Sequence, residues 1–381
     1  MMTKMLTLLA LTASVSASVT TFEEYKKAYH NSAAWSASEY ARRAAIFETN
    51  VAAIAKHNAN PHKSYTLAIN KMTAMEPKEW STKFGFDKKM LTHAEPNLQG
   101  ALVDQGIVIR PVSELPASKD WRDDNVVTAV KDQGHCGSCW AFSATGVLES
   151  HVALASGYLF DLSPQQLASC AENPQQCGGT GGCMGATYDV AFGYASGSGG
   201  LYQEFQYPYN SYYGSDYECR VGSDDFATTE PVAGIKGYMT LHSNNYTELM
   251  NAVAFAGPVA IVVDASDWSG YEGGVFDGCN AESPDINHGV VLVGYGECEV
   301  HGKYWLIRNS WSPAWGEDGY IKLRRDDGDE DNCAIDSTPE DGTACAGDDT
   351  PVKVCGSCGV LFNSAIPVGA YANADEGGRH P

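Results

Sequence analysis

The run Gln133-Gly134-His135-Cys136-Gly137-Ser138-Cys139-Trp140-Ala141-Phe142 sets a cysteine behind a glycine-broken loop. That cysteine heads an apolar-periodic stretch, Trp140, Ala144, Val147, Leu148, Val152 and Ala155, which stops at Gly157. The pattern predicts a helix that opens at Cys139. At a helix N-terminus the unpaired backbone N–H groups and the dipole favour negative charge, so the thiolate, the nucleophilic form, is stabilised there. Cys136 and Cys139 also fit a redox pair or half of a zinc site, and the local residues do not choose among these uses. A cysteine nucleophile needs a base and a group to orient that base. Asn287-His288-Gly289-Val290-Val291-Leu292-Val293-Gly294 offers the base, 149 residues downstream of Cys139. Trp305-Leu306-Ile307-Arg308-Asn309-Ser310-Trp311 offers the orienting amide, 170 residues downstream. His288 and Asn309 each sit at one end of a short β-rich apolar run, a setting that fixes the direction of a reactive side chain.

Together with the segments below, these residues resemble the papain-like cysteine proteases, in the cathepsin L-like branch that carries a propeptide. The resemblance implies an α+β fold of two lobes behind a helical propeptide. A mainly helical lobe would carry Cys139 and a β-barrel-like lobe would carry His288 and Asn309, with substrate in the cleft between them. It implies a cysteine endopeptidase made as an autoinhibited zymogen, acting on protein or peptide substrates. The rival is a catalytically silent binding protein on the same fold, whose signature would be loss of Cys139 or His288. An exopeptidase of the family would carry a cleft-blocking insertion, and no His-His loop lies between Cys170 and Cys219.

By the same resemblance, the Gln133 amide and the Cys139 backbone N–H are donors to the oxyanion of a tetrahedral intermediate. The Trp311 indole shields the pairing of His288 with Asn309. Cys136 pairs with Cys183, Cys170 with Cys219, and Cys279 with Cys358, although Asn332-Cys333-Ala334-Ile335-Asp336 is a second match that makes Cys333 a rival to Cys358. Gly185 and Ala186 would bind the substrate main chain, with alanine where the family has glycine, so that a methyl points near the substrate. Thr187, Tyr188, Val262, Ile286, Gly289 and Asn363 would form the main selecting pocket. Mostly apolar walls and an uncharged amide at the floor imply a preference for bulky apolar residues over Arg or Lys. Ser312 also stands where the family has glycine.

Several stretches must position this machinery. Met1 to Ala17 has one early charge, Lys4, an apolar core and a small-residue ending, and reads as a removable signal peptide, too short to span a bilayer. Residues 18–112 read as the inhibitory propeptide. There Glu39, Arg43, Phe47, Asn50, Ile54 and Asn58 follow at spacings of 4, 4, 3, 4 and 4, one stripe of one helix. Those residue types at those spacings are similar to the propeptide motif of the family. The stretch Ala68 to Ala74 departs from it, keeping Asn70 but lacking a carboxylate at 74. The protease domain then spans 113–381, with its natural start between Arg110 and Ser118. From Gly257 the pattern turns to β-branched strands.

The 381 residues carry 12 cysteines, which behind a signal peptide imply disulfides and a route through the secretory pathway to a lysosome- or vacuole-like compartment or the exterior. Residues 1–115 hold 13 Lys+Arg against 10 Asp+Glu, net +3, whereas 116–381 hold 12 against 37, net −25. So acidic a body argues against nucleic acid and anionic membrane as partners and favours docking of its own basic propeptide. A monomer without metal or other cofactor is expected. The acidic insert 326–353, with Asp326, Asp327, Asp329, Glu330 and Asp331 in one run, lacks the ordered ligand spacing of a calcium loop and reads as a solvated loop. Cys177, Cys298, Cys333, Cys345 and Cys355 are an odd set, so one must stay unbridged, and the sequence does not say which.

Overall fold

The computed structural model describes residues 19–84, 102–226 and 229–373. The expected signal peptide lies outside them. The N-terminal segment folds around a small core of its own, Val19, Phe22, Tyr25, Phe47 and Ala74. Helix α1 (Phe22–Tyr29) opens with a capping box between Thr21 and Glu24. Ser36 caps α2 (Ala37–Asn58), which carries the whole stripe expected from the spacing. Phe47 fills the core from that stripe, while Arg43 donates to the carboxylates of Glu39 and Glu79 and to the Ala74 carbonyl. Asn50 donates to the Thr73 carbonyl, and Asn58 holds Leu67 through both its amide atoms. The motif residues therefore fasten α2 to β1 (Tyr65–Leu67), to the loop after it and to the short α3 (Pro77–Ser81). The methyl at 74 is sealed inside this core rather than exposed.

Beyond residue 112 the elements in chain order are β2 (Lys119–Asp120), α4 (Cys139–Ser156), α5 (Pro164–Cys170), α6 (Tyr188–Gly197), β3 (Ala233–Gly234), β4 (Gly237–Thr240) and α7 (Tyr246–Asn251). Then follow β5 (Val259–Val263), β6 (Tyr271–Phe276), β7 (His288–Cys298), β8 (Gly302–Arg308), β9 (Tyr320–Arg324), β10 (Cys333–Asp336), β11 (Val352–Cys355), β12 (Ser364–Val368) and β13 (Tyr371–Ala372). The main sheet runs β1-β6-β9-β8-β7-β5-β12-β4, with β2 on β7. Among the described residues this path does not close, so the barrel-like lobe is an open, mostly antiparallel sheet. One edge strand, β1, is donated by the N-terminal segment and pairs antiparallel with β6, Tyr65 opposite Gly274. Adding a strand to a free edge gives main-chain hydrogen bonds without a specific side-chain code.

The central strands are buried on both faces, which is why they read as continuous apolar runs rather than alternating ones. Val259, Ile261 and Val263 of β5 enter an aromatic-rich core with Trp268, Trp305 and Trp311, while Ala260 and Val262 enter the core under α4 and α6. Helix α4 is buried on all sides from Cys139 to Ala153, as expected of a helix wedged between two layers, and its buried Glu149 pairs with Lys131. Gly157, in the left-handed region at φ 82°, ends it where the sequence indicated.

Five disulfides link described residues: Cys136–Cys183, Cys170–Cys219, Cys177–Cys345, Cys279–Cys358 and Cys333–Cys355. Cys358 is thus the partner of Cys279, and Cys333 belongs to the insert. Cys298, at the end of β7, is the member of the odd set outside any bridge. The acidic run is not simply solvated: Asp329 is buried, with its carboxyl pushed up to about 6 by desolvation, while Asp326 and Asp327 pair with Arg324 and Lys303.

Candidate active site

Cys139 is the first residue of α4 and fully buried, with its Sγ 3.5 Å from the backbone N–H of Gly289. Its thiol is outside any disulfide. Gly289 packs directly on the head of α4: a Cβ added there would lie in van der Waals contact with the Cys139 and Trp140 backbone, at 3.5–3.6 Å. His288 starts β7, opposite Val263 on β5, so the sheet register brings it beside the helix terminus. Its Nε2 lies 2.8 Å from Asn309 Oδ1. Asn309 Oδ1 also accepts the Ser310 N–H at 2.8 Å, which fixes the oxygen toward the imidazole. Nε2 therefore carries the ring hydrogen and Nδ1 keeps its lone pair. Nδ1 is buried and makes no hydrogen bond. Trp311 lies over the imidazole, tilted by 31°, with ring centroids 4.8 Å apart. Burial holds the His288 imidazole down at about 4, against the raising effect of Asn309 and with help from the Lys83 charge. In this closed state the ring is neutral.

Gln133 is equally buried. Its Oε1 accepts from Ser310 Oγ at 2.6 Å, which orients the amide, and Nε2 donates to the Cys136 carbonyl at 2.9 Å. The same Nε2 donates at 3.0 Å to the carbonyl of Lys83, a residue of the N-terminal segment. Trp80 and Phe84 of that segment lie on Trp311, at 5.3 and 6.4 Å between ring centroids, and Phe84 lies 6.2 Å from the His288 ring. The Lys83 ammonium is buried and bonds the Gly134 carbonyl, and desolvation pulls it down to about 8. Lys71 pairs with Asp132 beside the same loop. The N-terminal segment thus covers the imidazole and occupies the amide donor of Gln133.

Among the residues expected to bind substrate, Val262 and Gly289 face each other across β5 and β7, and the Val262 N–H donates to the Asn363 carbonyl at 3.3 Å. Ile286 leads into β7, and Thr187 and Tyr188 begin α6. Ala186 is buried in the same core as Tyr188, Val262 and Ile286. The Gly185 carbonyl accepts the Gly181 N–H at 2.7 Å. Ser312 holds φ 83°, the left-handed conformation that explains glycine in the family and costs strain here.

Three features were not found from the sequence. Ser310 orients Gln133, and its only signal was adjacency to Asn309. The plug of Trp80, Lys83 and Phe84 follows the helical stripe closely enough to have been suspected. The contact of the insert with both lobes, described below, had no local signal.

This arrangement defines a thiol hydrolase held shut by its own N-terminal segment. Residues 115–342 match the family described as papain family cysteine protease, and residues 22–80 match the cathepsin propeptide inhibitor domain. The cathepsin L-like peptidase of Aedes aegypti is 37% identical over 74% of this chain and 81% of its own length. Cathepsin L1 of Drosophila melanogaster is 36% identical over 87% and 88%. Among solved structures, digestive procathepsin L2 proteinase of Tenebrio molitor larval midgut superposes with a TM-score of 0.70 at 31% identity, over 91% of this chain and 98% of that one. Recombinant stem bromelain precursor superposes with a TM-score of 0.71 at 31% identity, over 91% and 97%. The chain belongs to the papain family of cysteine proteases and carries that family's inhibitory propeptide domain.

Proposed function

We propose that Cys139 is the nucleophile, His288 the general base and acid, Asn309 the group that orients the imidazole, and Gln133 with the Cys139 backbone N–H the oxyanion donors. The observation that carries this reading is the neutral imidazole, pinned by Asn309 through Nε2 and with the Nδ1 lone pair left over, on the residue just before Gly289, whose N–H lies 3.5 Å from the Cys139 Sγ at the head of α4. His288 Nδ1 takes the thiol proton, and the thiolate attacks the peptide carbonyl carbon. The oxyanion that forms is held by the Gln133 amide and the Cys139 N–H. Collapse expels the amine, which receives the proton from His288, and leaves an acyl-thioester. Water then gives its proton to His288, its oxygen displaces Cys139, and free acid and enzyme are regenerated.

In this reading residues 18–112 are the propeptide and 113–381 the protease, parted between Arg110 and Ser118 on activation. The enzyme acts as a monomer on polypeptides, without nucleic acid as a partner. It works in the secretory pathway, in a lysosome- or vacuole-like compartment or outside the cell, a placement supported by the five disulfides. Gly185 and Ala186 offer main-chain groups to an extended substrate, and Thr187, Tyr188, Val262, Ile286, Gly289 and Asn363 line the pocket for the second residue on the amino side of the scissile bond. The test is Cys139→Ser, which is nearly isosteric. It should fold and keep its propeptide docked, yet retain less than about one per cent of wild-type turnover. Higher residual activity would move the nucleophile elsewhere.

A further inference from the structure

The insert between β9 and β12 is a strap that joins the two lobes. Its base is the hairpin of β10 and β11, closed by Cys333–Cys355. On the sheet side, Asp336 Oδ2 accepts the Ile286 N–H at 3.3 Å. Gly342 lies so near the Ile286 carbonyl that an added Cβ would come within 2.1 Å of it. On the helical side, the Ala344 carbonyl accepts the Gly178 N–H at 3.0 Å, and Cys345 is bonded to Cys177. The strap therefore runs from the cleft wall just before His288 to the loop that precedes Gly185.

Behind it lies a chamber of about 960 Å³ whose wall includes Thr187 and Asn363, the entrance and floor of the selecting pocket. Phe362 and Tyr238 give it apolar surface, and Glu172, Asp189 and Asp348 give it carboxylates. No Lys, Arg or His lines it. Burial, with the charge of Asp189 added, pushes the Tyr238 phenol up to about 12. The expectation of an apolar preference rested on Val262, Ile286 and an uncharged floor. The chamber shares Thr187 and Asn363 with that set, and the strap adds Asp348 to the Glu172 and Asp189 carboxylates of the helical lobe.

We propose that the strap is the specificity element of this protease: the chamber it lines receives a long cationic side chain, arginine or lysine, from the second substrate residue on the amino side of the scissile bond. The proposal rests on the cleft assigned above. The methylenes of such a side chain lie along Phe362 and Tyr238 while its charged head meets the carboxylates. Glu172 and Asp348 are exposed and Asp189 is half-buried, so solvent screens each charge and the selection is graded rather than absolute.

The experiment uses activated protease and two peptides that differ only as Arg against Leu at that position. Wild type should cleave the Arg peptide with kcat/KM about fivefold above the Leu peptide. Asp189→Asn with Asp348→Asn should lower that ratio roughly tenfold, chiefly through KM. Cys177→Ser with Cys345→Ser, which unfastens the strap, should lower it in the same direction. A wild type that favours Leu, or a ratio unchanged by the carboxylate pair, overturns the proposal, and the near-isosteric Asn variants keep it testable if the cysteine pair fails to fold. Loss of the functional reading looks different: neither peptide would be cleaved, or Cys139→Ser would cleave both.

Discussion

The two ends of the cleft are built on opposite principles. Around Cys139 every polar group that bears on the chemistry is dry: Gln133, His288 and Asn309 are buried, each is oriented by a neighbour, and the propeptide seals them further. At the chamber the carboxylates of Glu172, Asp189 and Asp348 are exposed or half-buried, and the strap is fastened covalently, through Cys177–Cys345. In a dry site a single hydrogen bond or charge carries a large effect, because nothing replaces it when it is lost. In a wet one each charge is screened and selection needs several together. The catalytic end should therefore break on single substitutions and the strap end should only shift.

The largest expected loss after Cys139→Ser is at Gln133. Gln133→Ala removes one of the two proposed oxyanion donors and should lower kcat by about 10²-fold with little change in KM, as read from steady-state kinetics of the activated enzyme. An equal rise in KM would mean that Gln133 serves ground-state binding.

The propeptide plug comes next. The isolated segment 18–112 carrying Phe84→Ala should inhibit mature enzyme roughly 10²-fold more weakly than the wild-type segment, because the ring that covers His288 and Trp311 is lost. Unchanged inhibition would place the hold at β1 and Lys71 instead.

Acid should loosen the same contact. With the propeptide docked, His288 is held at about 4, while its ordinary value is 6.5. Once uncovered, and away from the Lys83 charge, it moves back toward the ordinary value. The undocked state then binds a proton that the docked state refuses, so docking is strongest above about 6.5 and weakens as pH falls toward 4. The limit is about fiftyfold in Kd between pH 7 and 4.5. Lys83 adds no slope in that window, since its docked value of about 8 leaves it protonated throughout. Binding measured on a Cys139→Ser background with and without His288→Gln checks this: the wild-type slope should be lost with the histidine. A slope that survives belongs to other groups at the contact, such as His135, which burial and the Lys83 charge also hold below its ordinary value, or Asp132, and it cannot come from position 74, which is a buried alanine.

The smallest effect is on the propeptide surface. Arg42 pairs with Glu76 in the open, so Arg42→Ala should change the thermal stability of the zymogen by less than about 1 kcal/mol, whereas Arg43→Ala, which strips two carboxylates and a buried carbonyl of their donor, should cost about 2–3 kcal/mol. Similar melting shifts for the two would show that the stripe acts by helix propensity and not by docking.

The sequence by itself marked the residues proposed to do the chemistry and the long helix of the N-terminal segment, because both are written in short-range patterns. The run that opens α4 shows its N-terminus by periodicity and its end by Gly157; the stripe from Glu39 to Asn58 is a statement about one helix face. His288 and Asn309 were legible from their places at the ends of apolar runs, although only the register of β7 with β5 and β8 puts the imidazole at the head of α4. Tertiary structure alone decided the rest. That Cys177 meets Cys345, 168 residues away, and leaves Cys298 unbridged depends on where the strap lands after both lobes have packed. That the sheet stays open, that the methyl of Ala186 turns into the core, and that the Lys83 carbonyl occupies the Gln133 amide are likewise facts of packing between distant segments. No local period encodes them, because each is set by the fit of surfaces that the chain brings together only after it folds.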